Sequence, residues 1–138
     1  MQYSCGYWKE AQTLEAAQNA KLKMICEKLQ LKPGMQLLDI GCGGGGVAAY
    51  AARHYGVNVD GGTISGEQQK LAQQHCEGLN VSILLQDYRD LDNTYDRIVS
   101  VGMFEHVGPK NYDTYFSVVD RCLKSNGLFL LHLSLIHI

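Results

Sequence analysis

The sequence of 138 residues is short of the features that mark several function classes. Its 12 Lys and Arg are interspersed with 14 Asp and Glu, for a net charge of −2, so neither a nucleic-acid face nor a polybasic membrane patch is in view. The five cysteines (Cys5, Cys26, Cys42, Cys76, Cys122) are odd in number and contain no CxxC pair. That argues against a disulfide framework or a zinc site and suits a reducing compartment. The five histidines (His54, His75, His106, His132, His137) show no metal-ligand spacing. No apolar run reaches transmembrane length, and MQYSCGYWKE is not a secretory signal. Repeats, low-complexity tracts and linkers are missing too. The expectation is a soluble, cytoplasmic chain of one domain or a piece of one, without a metal.

What is there alternates. Residues 13–29 space Leu14, Ala17, Leu22, Ile25 and Leu29 as on one helix face, and Lys32-Pro33-Gly34 ends that helix. Residues 35–40 form a short apolar run of the kind buried on both faces of a parallel sheet. A helix over 47–55, a strand over 57–61 and a helix opening at Ser65 follow, with Gln68 at the capping-box spacing. Strands are expected over 81–85, 95–101 and 128–132, with a helix over 110–123 and a tight turn at Asn126 and Gly127 before the last strand. This βαβ alternation predicts an α/β protein, a Rossmann-like parallel sheet with helices on both faces. Ligands in such sheets lie beyond the carboxyl ends of the strands, near the switch in strand order.

After the first strand comes LDIGCGGGG. Gly41, Gly43 and Gly46 satisfy G-x-G-x-x-G, the dinucleotide fingerprint, and Asp60 lies near the distance at which that fingerprint expects a ribose-binding acid. Asp60 reads equally well as an exposed strand-end residue. Asp39, two residues before the first glycine, leans away from a dinucleotide, because a pyrophosphate gains nothing from a nearby carboxylate. A cofactor bearing a cationic ammonium tolerates that acid, which suggests S-adenosyl-L-methionine. Thr63 and Gln68 are neutral groups able to bond a ribose or a carboxylate, although Ser65 and Gln68 also read simply as a helix cap. A glycine-rich turn with no ligand is the plainest alternative.

In order and spacing, YSCGYW, LDIGCGGGG, TISGEQQ, LLQDYRDL, YDRIVSVGMFEHVGPKNYDTYF and LFLLH resemble the cyclopropane-fatty-acyl-phospholipid synthases. These are class I S-adenosyl-L-methionine-dependent methyltransferases related to the mycolic acid cyclopropane synthases, and the resemblance covers residues 1–132. It implies that Tyr3, Ser4, Gly41 and Gly43 touch the methionine end of the cofactor. Thr63, Ile64 and Gln68 would hold the ribose, Asp87 and Tyr88 would face the adenine, and Gly102 would pass close by its backbone. Cys5, Glu105 and His132 match residues that bind a catalytic bicarbonate. Each of the three alone has a plainer reading: a small apolar cysteine, half of a local Glu105–His106 pair, a satisfied core histidine.

The implied substrate is an unsaturated phospholipid acyl chain at the membrane surface, with peripheral contact there. An alkene is a poor nucleophile, so the sulfonium methyl must be aligned and water excluded. After methyl transfer a base must remove a proton from the new methyl so that a cyclopropane ring closes, a task for bicarbonate. Closely similar motifs serve enzymes that add a methyl branch without closing a ring. A nicotinamide-dependent oxidoreductase and a non-catalytic adenosyl-binding module also stay open.

The sequence departs from the family in three places. Gly44 stands where the family usually has tryptophan, which is expected to remove an apolar wall near the cofactor, and Gly62 stands where valine is usual. Past His132 the family continues, whereas LSLIHI is the in-frame translation of a common transposase sequencing adapter. The expectation is an internal fragment: an incomplete methyltransferase domain over 1–132, truncated after its fifth strand, a non-native tail over 133–138, and no turnover by the fragment alone.

Overall fold

The computed structural model describes residues 4–101 and 107–132, with side chains described over 13–101 and 107–131. Five strands, β1 (Gln36–Ile40), β2 (Asn58–Thr63), β3 (Val81–Leu85), β4 (Tyr95–Val101) and β5 (Leu123–His132), pair in parallel in the order β3-β2-β1-β4-β5. Helices α1 (Ser4–Lys28), α2 (Gly46–Tyr55), α3 (Gly66–His75) and α4 (Tyr112–Cys122) complete the elements, as the alternating pattern leads one to expect. The chain winds outward from β1 to β3, then returns to lay β4 on the other side of β1. That reversal opens a crevice past the carboxyl ends of β1 and β4.

Alternation along β1 decides which helices cover which face. Leu37 joins Val59 and Val99 in a core with Ile25 of α1, Leu29 just past its end, and Ala48 and Ala51 of α2. Ala72 of α3 meets Cys42 and Ile83 in a small adjoining cluster. Leu38 and Ile40 point the opposite way, where with Ile98 they meet Tyr115, Val118, Val119 and Cys122 of α4. Leu37 and Leu38 are both fully buried, and each contributes about 1.5–3 kcal/mol of transfer free energy.

Three boundaries differ from expectation. The first helix begins at Ser4 rather than near Thr13. Strand β2 ends at Thr63, so the glycine pair that reads as its terminator lies inside it. Gly61 is there for close approach: a Cβ on it would come within 3.0 Å of Cys42 Sγ and 3.1 Å of Ile83 Cδ1. The turn expected at Asn126 and Gly127 is instead a bulge within β5, where the pairing jumps from Tyr95↔Leu123 to Arg97↔Leu128. At that bulge Asp96 accepts the Gln36 N–H at 2.8 Å and faces Lys124 Nζ at 3.4 Å.

Candidate functional site

Between β1 and α2 the backbone turns on left-handed glycines, Gly41 (φ 72), Gly43 (φ 55) and Gly45 (φ 85). Gly45 has no substitute, because besides its φ a Cβ there would stand 3.1 Å from Ala72 Cβ and 3.2 Å from Cys76 Sγ. Two backbone bonds hold the turn, Cys42 N to Gly62 O at 2.9 Å and Gly45 N to Cys42 O at 3.0 Å. Gly45, as cap residue, offers α2 no side-chain acceptor. An uncapped helix N-terminus is suited to a ligand oxygen.

Two cavities flank this loop, and Gly41, Gly43 and Val101 line both. The larger, about 570 Å³, opens at the carboxyl ends of the strands on the α4 side. It gathers Gly41, Gly43, Thr63, Ile64, Gln68, Asp87 and Tyr88, seven of the residues marked in the sequence. The smaller, about 180 Å³, lies against α1 and is lined by Gln18, Lys21, Asp39 and Cys42 among others.

In the larger cavity, Thr63 Oγ1 donates to Gln68 Oε1 at 3.2 Å and accepts from the Ser65 N–H at 3.2 Å. Only half of the expected capping box forms. Ser65 Oγ accepts from the Gln68 N–H at 3.2 Å, but Thr63 takes the reciprocal place, which leaves the Gln68 side chain at the cavity. Across from it, Asp87 caps a 3-10 turn (Tyr88–Asp90) by accepting the Arg89 N–H at 2.9 Å. The Arg89 guanidinium forks back onto the same carboxylate, Nε at 3.1 Å and Nη2 at 2.7 Å. These bonds hold the Asp87 carboxyl below the usual carboxylate range. Arg89 also lines the cavity, and sequence reasoning missed it.

In the smaller cavity, Asp39 is 2% exposed and its Oδ2 has no hydrogen-bond partner among the described residues. Burial pushes its carboxyl up to about 7. The neighbouring Cys42 thiol is likewise pushed up to about 12, chiefly by burial, so it stays protonated and is not a nucleophile.

Two expectations need correction. Asp60 is neither a ribose acid nor an exposed strand end: it sits in mid-strand opposite Leu38, and Tyr95 Oη donates to its carboxylate at 2.6 Å. The best support for a dinucleotide site falls with it. Gly44 lines neither cavity, and a Cβ there would face Leu71 Cδ2 of α3 at 3.6 Å. A side chain at 44 would start out over Leu71, which is 58% exposed, rather than as a wall of the cavity. A Cβ at Gly62 would meet nothing within 4 Å, and Gly62 does line the larger cavity.

Tyr3, Gly102, Glu105, His106 and 133–138 lie outside the described residues. Ser4 and Cys5 are placed by backbone alone in the first turn of α1, and His132 at the end of β5 beside Val101. Their side chains also fall outside the described set.

Residues 1–137 match the family model described as mycolic acid cyclopropane synthetase. The chain is 75% identical to the cyclopropane-fatty-acyl-phospholipid synthase of Escherichia coli (strain K12), over 96% of its own length and 35% of that protein's. It therefore spans about a third of this curated relative. Among solved structures it resembles the cyclopropane synthase MmaA2 from Mycobacterium tuberculosis at a TM-score of 0.83 and 39% identity, covering 87% of this chain and 44% of that one. It also resembles the mycolic acid cyclopropane synthase CmaA1 complexed with SAH and CTAB, at a TM-score of 0.82 and 41% identity, covering 94% of this chain and 47% of that one. An oxidoreductase reading finds no support in these likenesses.

Proposed function

The chain belongs to the mycolic acid cyclopropane synthetase family, and from that premise we propose that it is the cofactor-binding part of an enzyme that builds cyclopropane rings on unsaturated phospholipid acyl chains. One observation carries this reading: the glycine loop, Thr63, Gln68 and Asp87 line one cavity at the strand ends, next to a buried acid with an unused oxygen. That set fits S-adenosyl-L-methionine. Asp39 would face the ammonium, Gly41 and Gly43 would allow the methionine chain to lie along the backbone, and Thr63 and Gln68 would bond the ribose. Asp87 would accept from the adenine amine beside the Tyr88 ring. Tyr3, Ser4, Ile64 and Gly102 complete the proposed contacts.

When bound, the cofactor supplies an electrophilic methyl whose carbon becomes the ring methylene, with S-adenosylhomocysteine and one proton leaving. The protein's part is alignment and exclusion of water. Removing the proton requires a base, and we assign it to bicarbonate held by Cys5, Glu105 and His132. Peripheral contact with a membrane surface follows from the substrate class; no helix among the described residues is long and apolar enough to cross a membrane.

Calorimetric titration with S-adenosylhomocysteine, and NADH as control, tests the binding reading. Saturable binding of the adenosyl ligand alone is expected; preference for NADH, or binding of neither by a folded chain, would overturn it. For the reaction, the full-length protein is incubated with methyl-labelled cofactor and monounsaturated phospholipid vesicles. Label in a ring supports the proposal, and label in a methyl branch replaces ring closure by branching.

A further inference from the structure

Asp87 and Tyr88 stand at a 3-10 turn that pairs with no strand. Its backbone bonds are two, Asp90 N to Asp87 O at 2.9 Å and Leu91 N to Tyr88 O at 3.2 Å, beside the Asp87 cap and a bond from Gln86 Nε2 to the Asp90 carbonyl at 3.3 Å. A turn of this kind holds its shape poorly unaided. The grip comes from α4. Arg121 donates to the Leu91 carbonyl from Nε at 3.2 Å and from Nη2 at 2.6 Å, and from Nη2 to the Arg89 carbonyl at 3.1 Å. Cys122 Sγ reaches the same Leu91 carbonyl at 3.4 Å. Tyr115, on the same helix, sets its ring 5.6 Å from that of Tyr88. Among the described residues Arg121 makes no ion pair, so its guanidinium is spent on backbone carbonyls. Two arginines thus act in series: Arg121 holds the main chain of Arg89, and the Arg89 side chain holds Asp87.

We propose that Arg121 is a positioning residue for the adenine side of the cavity, fixing through the carbonyls of Arg89 and Leu91 the direction in which Asp87 and Tyr88 face the ligand. The role in binding rests on the adenosyl reading above; the grip on the turn does not. A guanidinium suits this task because its planar fork reaches two carbonyls at once, which an ammonium does not reproduce.

The test compares Arg121→Met and Arg121→Lys with the unaltered chain by amide hydrogen exchange, thermal unfolding, and calorimetric titration with S-adenosylhomocysteine and with adenosine. For Arg121→Met, exchange at the Asp90 and Leu91 amides should accelerate about tenfold while amides of β1 and β4 hold their rates. Both ligands should weaken by the same factor, about tenfold, since the loss falls on the part they share. Arg121→Lys should recover part of each effect. Unchanged exchange at Asp90 and Leu91 in a folded variant overturns the proposal. So does a lowered unfolding temperature with unaltered affinities, or a loss confined to S-adenosylhomocysteine. Should Arg121→Met not fold, Arg121→Lys carries the same readouts. Should the unaltered chain bind neither ligand, the adenosyl reading fails, and the exchange rates alone decide whether Arg121 holds the turn.

Discussion

Asp39 and Asp87 lie on opposite sides of one glycine loop and have opposite fates. Asp39 is 2% exposed, has an oxygen with no partner, and has its carboxyl pushed up to about 7 by burial. The Asp87 side chain is 35% exposed, accepts from Arg89 through both oxygens, and is held below the usual range. A buried carboxylate without a counter-charge is costly, and a cation arriving beside it meets little screening. A half-buried carboxylate already paired offers direction more than energy. The two sides of the loop therefore contribute differently: one supplies charge, the other supplies shape.

Breaking the buried side should have the largest effect. Asp39→Asn keeps the shape and removes the charge, so affinity for S-adenosylhomocysteine should fall tenfold or more (about 1.5–3 kcal/mol), with adenosine affinity unchanged in parallel titrations. The same variant should unfold at a higher temperature than the unaltered chain at pH 8, because it no longer buries an ionised group.

The next prediction is the pH dependence. The folded carboxyl of Asp39 titrates at about 7, and its ordinary value is 3.8. Between these values the folded chain keeps a proton that the unfolded chain has released. This contribution to stability is therefore greatest at the acid end of the window and falls as pH rises through it. Unfolding temperatures measured across the window should show this slope, and Asp39→Asn should lack it. Because an ammonium favours the ionised form, affinity for S-adenosylhomocysteine should rise with pH by up to about tenfold per unit until Asp39 is fully ionised.

Breaking the half-buried side should do less. Asp87→Asn is expected to change stability by less than about 0.5 kcal/mol and to weaken adenosine and S-adenosylhomocysteine alike by about threefold to tenfold. Smallest at the site is Gly44→Trp. It should raise the unfolding temperature by covering Leu71, a gain of about 1 kcal/mol, and shift ligand affinity by less than about twofold. A large gain in affinity would restore the view that residue 44 walls the cavity.

The loop and its strand were legible because a short apolar run followed by glycines leaves few options at the head of a parallel sheet. The Ser65 cap was legible for a similar reason, since its acceptor and the bonded N–H are close in the chain. Asp60 was misread because Gly61 and Gly62 resemble a strand end, while the absent side chain of Gly61 serves Cys42 and Ile83 packing across the sheet. The Arg89 fork was invisible because i and i+2 side chains meet only in a turn whose type the sequence does not declare. Arg121 was invisible because its partners are backbone carbonyls, which carry no residue signature.

Asp96 sits at the opposite end of the sheet from the cavity. Its carboxylate bonds the first N–H of β1 and faces Lys124 in the β5 bulge, while the neighbouring Arg97 donates to the Leu29 carbonyl at the end of α1. In a sheet whose residues alternate between faces, alignment set at one end is inherited along the whole length of each strand. Strands β1, β4 and β5 are thus indexed from below, much as a hand of cards is squared by tapping one edge. The side-chain ties to that alignment lie at the lower end, so side chains at the upper ends can differ with the ligand they serve while the backbone ladder keeps its register.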